Sequence, residues 1–70
     1  MLTDAYLKGF KFMFIAIDYV VYMNEQGHDA CIVFKHGEDG CGHINRSGEQ
    51  PIELTAEQAR MIARAASERQ

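Results

Sequence analysis

The segment Gly9–Met23, GFKFMFIAIDYVVYM, decides how this chain is read. From Phe10 onward only Lys11 and Asp18 carry charge, and aromatic and β-branched residues dominate the rest. Two conformations compete for it. Phe12, Phe14, Ile15, Ile17, Tyr19, Val20, Val21 and Tyr22 suit a pleated, half-buried surface. At about 100° per residue, Asp4, Lys8, Lys11, Asp18 and Glu25 fall instead on one stripe of a helix. Most of those charges lie at the ends, where either conformation accommodates them. The strand is preferred because a hairpin signal follows. It places Phe12, Phe14, Ala16, Val20 and Tyr22 on one face, with Met13, Ile15, Ile17, Tyr19, Val21 and Met23 on the other. Both faces are apolar. A helix covers one, so the other needs the N-terminal segment, a second copy or a partner.

Downstream, Met23-Asn24-Glu25-Gln26-Gly27-His28 reads as a type I turn closed by a left-handed Gly27. Asp29–Lys35 is the return strand, with Val20 and Val21 expected near Ala30 and Cys31. His36–Gln50 is polar and holds four of the six glycines. It reads as a long loop with a short third strand near Gly42–Arg46. Pro51–Leu54 is a brief extended lead-in. Thr55 and Gln58 then form a capping box that opens a helix running to about Ser67. Its apolar stripe is Ala59, Ile62, Ala63 and Ala66, flanked by Met61 and Ala65. Upstream, Thr3 caps a short helix over Asp4–Lys8, and Gly9 closes it.

The expected fold is α+β: an antiparallel hairpin or three-stranded meander with a C-terminal helix on one face and a short N-terminal helix. The alternative is an α-β-β-α arrangement with a long N-terminal helix over residues 4–25. The chain of 70 residues is one domain, small enough that its core is marginal without staples or association. Two cysteines and no secretory signal point to reduced thiols and a cytoplasmic protein. The apolar run is too short, and too interrupted by Asp18, to cross a membrane. A net charge of −3 disfavours a general nucleic-acid binder.

Chemistry-bearing residues are sparse. His28, Cys31, His36 and Cys41 have the ligand spacing of a zinc knuckle with His replacing the first Cys. The interval Ile32-Val33-Phe34-Lys35 lacks the glycines needed to turn around an ion. A reduced set of His36, Cys41 and His43, with Glu38 or Asp39, is conceivable in the loop. Cys41 and His43 resemble a thiol dyad, but a glycine-rich loop supplies no preorganised third group. Asp18 is a lone carboxylate in apolar surroundings. Arg60 and Arg64 stand one turn apart on the helix, where Glu57 and Glu68 are spaced to pair with them. No phosphate-binding glycine motif occurs. Asn45-Arg46-Ser47 is a chance glycosylation sequon.

These features predict a non-enzymatic protein-binding or regulatory module without cofactor or membrane contact. It would be homodimeric and act by occluding or bridging a larger partner, as a phage- or mobile-element-type inhibitor does. Tyr19, Val21 and Met23 are the expected dimer seam, with Tyr6, Tyr22 and Met13 as further contact candidates. Glu38, Asp39, His43 and Arg46 of the loop, and Arg60 and Arg64 of the helix, are the expected partner surfaces. Two alternatives stand beside this. One is a nucleic-acid-associated regulator using Arg60, Arg64 and Arg46. The other is a zinc-responsive module on His36, Cys41 and His43.

Overall fold

A computed structural model describes residues 2–24, 26, 28–35 and 42–68. Its elements follow in the order α1 (Asp4–Leu7), β1 (Phe10–Ile15), β2 (Tyr19–Asn24), β3 (Asp29–Phe34), β4 (Gly42–Asn45), β5 (Ile52–Leu54) and α2 (Ala56–Glu68). The strands form one antiparallel meander in the order β1-β2-β3-β4-β5. The α+β architecture is the expected one, extended to five strands among the described residues. The long helix over residues 4–25 does not form.

Local chemistry accounts for the ends. Tyr6 N donates to Thr3 Oγ1 at 3.1 Å, which caps α1. Gly9 sits at a close approach: a Cβ there would lie 3.0 Å from Asn24 Nδ2 and 3.2 Å from the Tyr6 carbonyl oxygen, so either neighbour would have to shift by a few tenths of an ångström. The capping box closes in both directions at α2. Gln58 N donates to Thr55 Oγ1 at 3.1 Å, and Thr55 N donates to Gln58 Oε1 at 2.9 Å. Buried Ala59, Ile62 and Ala66 turn one stripe of α2 toward the sheet. The alanines let the helix backbone lie close, while Ile62 supplies most of the buried volume.

The decisive segment is two strands, not one. Ala16, Ile17 and Asp18 form a turn, with Ala16 N donating to the Tyr19 carbonyl at 2.8 Å. A strand of fourteen residues with both faces apolar would need cover along its whole length. Folding back gives β1 and β2 a shared ladder instead. The partition of faces along β1 also differs from strict alternation. A bulge shifts the register between Phe12, opposite Tyr22, and Phe14, opposite Val21. Phe10, Phe12 and Ile15 therefore share the helix-side face with Val20 and Tyr22, and Phe14 joins Val21 on the opposite face. The β2–β3 register differs by two residues from the expected one. Tyr22 faces Cys31 and Met23 faces Ala30, so Val20 and Val21 face Val33 and Ile32. The turn between them uses an Asx contact, Gln26 N to Asn24 Oδ1 at 3.1 Å, and His28 adopts the left-handed conformation (φ 57°). Gly27 lies outside the described residues.

The core lies between the sheet and α2. Leu7, Phe10, Tyr22, Cys31, Ile44 and Leu54 pack against Ile62 and Ala66. Tyr6 and Phe10 meet edge to face with centroids 5.3 Å apart. No helix among the described residues is long and apolar enough to cross a membrane.

Candidate functional site

The face of the sheet opposite α2 is built by register. Its central row is Phe14–Val21–Ile32–His43–Glu53, one residue from each strand. On one side lies the row Lys11–Met23–Ala30–Asn45, and on the other the pair Tyr19–Phe34. Tyr19 and Phe34 pack edge to face at 6.2 Å, and the Phe34 ring tilts against His43 at 5.8 Å. Val21 is 8% exposed although none of the described elements lies over it. Its own row and the aromatic pair cover it laterally. Phe14 and Phe34 stand exposed in the same layer. The result is an apolar centre with Lys11, Asn45 and Glu53 toward its margins.

A second apolar surface adjoins it at the β1–β2 turn. Phe12, Met13, Phe14, Ile15 and Ile17 are all exposed, Ile15 at 63% and Ile17 at 89%. The turn is held in shape from β3. Lys35 N donates to the Asp18 carbonyl at 2.8 Å, and Lys35 Nζ donates to the Ala16 carbonyl at 2.6 Å. Asp18, the lone carboxylate of the apolar run, is an exposed turn residue.

The opposite end of the sheet is polar. Asp29 is nearly buried, and its Oδ2 accepts from Tyr6 OH at 2.5 Å and from Arg46 Nε at 3.2 Å. The Arg46 guanidinium carbon lies 5.1 Å from the Tyr6 ring centroid. Asn24, also buried, donates through Nδ2 to the Tyr6 carbonyl at 3.4 Å. Burial and then the Asp29 hydrogen bond push the Tyr6 phenol above its ordinary value, with Arg46 opposing. The network ties α1 to β3 and to the start of the β4–β5 connection.

The candidate residues read from sequence separate into three places. Tyr19, Val21, Met23 and His43 share the open face. Arg46 belongs to the polar network. Arg60 and Arg64 line a groove of about 440 Å³ with Lys8, Met61, Glu57 and Glu68. Among the described residues neither Glu57–Arg60 nor Glu68–Arg64 closes to an ion pair. Tyr22 is a core residue, and Tyr6 is held in the polar network; neither lies on the open face. Glu38, Asp39, His36 and Cys41 lie outside the described residues. Cys31 and His43 are on opposite faces of the sheet, since His43 is registered with Ile32, so the two cannot share an ion. Burial pushes the Cys31 thiol up to about 12, which leaves it unionised at neutral pH.

Sequence reasoning missed Asp29 and Asn24. Their partners are 23 and 18 residues away in sequence, so no local spacing signals them. Comparison with protein-family models, with curated proteins and with solved structures gives no match.

Proposed function

We propose that the chain is a non-enzymatic binding module that works as a cytoplasmic homodimer and occludes or bridges a larger protein. The observation that carries this reading is the apolar tip: five large hydrophobic side chains exposed between Phe12 and Ile17. Covering one such side chain yields about 1.5–3 kcal/mol, so a partner gains most by seating this turn in an apolar cleft. The Lys35 contacts brace the tip from β3, which reduces the ordering cost of binding. The mild negative charge supports a protein partner over a phosphate backbone. An inhibitor that blocks a host enzyme or receptor surface fits a chain of this size.

The test pairs wild type with Ile17→Asp as baits, followed by titration of the purified captured protein against both. Ile17 points into solvent at a turn, so the substitution leaves the core alone. Affinity is expected to fall by about a hundredfold, the equivalent of one buried anchor. Equal capture and equal affinity for both baits would remove the tip from the binding surface and this reading with it.

A further inference from the structure

The polar end of the sheet holds more than a brace for α1. We propose that the cleft beside Asp29 is a binding site for a neutral primary carboxamide, the group that ends asparagine and glutamine side chains. It lies at the end of the sheet away from the Ile17 turn, so it stands independently of the apolar tip as a binding surface.

The cleft has a volume of about 470 Å³. Ala5 and Tyr6 line it from α1, Asn24, Gln26 and Asp29 from the β2–β3 connection and its flanks, and Arg46 from beyond β4. The Asp29 side chain is 8% exposed, and its two oxygens differ. Oδ2 is committed, accepting from Tyr6 OH at 2.5 Å and from Arg46 Nε at 3.2 Å. Nothing among the described residues donates to Oδ1. No buried side-chain oxygen or nitrogen among them lacks a partner. Oδ1 therefore meets open space, and the cleft is the space that borders Asp29. An acceptor this deep, reached through a cleft, is matched by a donor arriving on a ligand.

Charge selects the donor. Arg46 contacts the same carboxylate, so the pair carries no net charge. An entering ammonium or guanidinium meets Arg46 as a like charge, and an entering anion meets Asp29 as one. A neutral donor avoids both. Arg46, beyond its committed Nε, and Gln26 bring further N–H groups to the cleft wall. The fitting ligand thus carries an acceptor beside its donor. A primary carboxamide has this pair, with its N–H donating to Asp29 Oδ1 and its carbonyl accepting from Arg46 or Gln26. The walls are set before it arrives. Asn24 Nδ2 donates to the Tyr6 carbonyl at 3.4 Å, and Asn24 Oδ1 accepts from Gln26 N at 3.1 Å, which ties α1 and the β2–β3 turn together across the cleft.

NMR titration of the ¹⁵N-labelled full chain tests the site with three probes of one shape: acetamide, acetate and acetamidinium. Acetamide is expected to shift the amide signals of Tyr6, Asn24, Gln26, Asp29 and Arg46 with a Kd in the millimolar range, as suits so small a ligand. Acetate and acetamidinium should bind at least about tenfold more weakly. Asp29→Asn keeps an acceptor for Tyr6 and Arg46 while turning an amino group toward the cleft. It should weaken acetamide at least about tenfold in a spectrum that is otherwise folded. Ile17→Asp, at the far end of the sheet, should bind acetamide as wild type does. No shift at these five amides, equal affinity for all three probes, or undiminished acetamide binding by Asp29→Asn would each overturn the proposal. Should Asp29→Asn unfold, the three-probe comparison on wild type decides alone, and a purely structural role for the cluster predicts no discrimination among the probes.

Discussion

Arg46→Ala separates a structural arginine from a contact arginine. Sequence position puts Arg46 in a polar loop, where an exposed cation would be free for a partner. The structure gives it two intramolecular roles. Its Nε donates to Asp29 Oδ2 at 3.2 Å, and its guanidinium lies over the Tyr6 ring. The Asp29 side chain is 8% exposed and that of Arg46 is 29% exposed. The pair therefore falls between exposed ion pairs, about 0–1 kcal/mol, and buried ones, whose rupture costs about 3–5 kcal/mol. Removing Arg46 takes one partner from the buried Asp29 carboxylate, a cost of about 2 kcal/mol on the Asp29 side. A chain this size has about 4–10 kcal/mol in all. With a urea m-value near 1 kcal/mol per molar, the midpoint should fall by about 2 M. Arg60→Ala on the outer face of α2 is the control and should move it by less than about 0.5 M. Arg46→Lys should recover only part of the loss, because an ammonium reproduces neither the Nε geometry nor the stacking. If Arg46→Ala shifted the midpoint no more than Arg60→Ala, the network would not be holding α1 to the sheet.

Two further outcomes are expected. Burial raises the Cys31 thiol from 9.0 to about 12, so the neutral thiol's contribution is complete below about pH 9 and is lost as pH rises toward 12. Tyr22, raised by burial and by Cys31, and Tyr6 act in the same direction from about pH 10. The total for Cys31 is about 4 kcal/mol, and Cys31→Val should flatten unfolding midpoints measured from pH 8 to 11; an unchanged slope would contradict the burial argument. Thr55→Ala removes the acceptor for Gln58 N and should cost about 1 kcal/mol, which calorimetry would register as a melting point lower by about 4–8 °C.

What could be read from the sequence was what is encoded locally. Thr55 and Gln58 are three residues apart and form the box that their spacing implies. Thr3 caps α1 in the same manner, and the short strand expected near Gly42–Arg46 appears as β4. The division of β2 into Val20 and Tyr22 against Tyr19, Val21 and Met23 follows from the pleat alone. The turn at Ala16-Ile17-Asp18 was hidden because it contains no glycine, proline or asparagine, and its apolar residues match those of the strands on either side. The bulge after Phe12 is equally silent, since Met13 is an ordinary strand residue. That one bulge changes the face to which Phe14 and Ile15 belong, which is why alternation misplaced them. The Tyr6–Asp29–Arg46 cluster depends on the register of β3 with β4 and on the placement of α1. Nothing within a window of ten residues points to it.

The distribution of apolar residues leaves large hydrophobic side chains exposed on the sheet and at its β1–β2 turn. A helix of thirteen residues is about 20 Å long and about 10 Å across, whereas the sheet beneath it is roughly twice as wide. One helix therefore leaves apolar side chains uncovered even on its own side, where Phe12 and Ile15 remain exposed. The other face has no described element over it at all. A chain that served only its own stability would place polar residues at Ile17, Phe14 and Phe34, which add little to a core they do not enter. Their exposure is what the proposed partner surface would cover. The two surfaces differ in direction: the open face is normal to the sheet, while the turn projects along the strands from one end. A partner seated on Ile17 and Ile15 leaves the expected seam of Tyr19, Val21 and Met23 open to a second copy. Dimerisation would then double the number of tips per assembly, and bridging two sites on a larger partner would follow from the symmetry, with avidity set by the distance between the two turns.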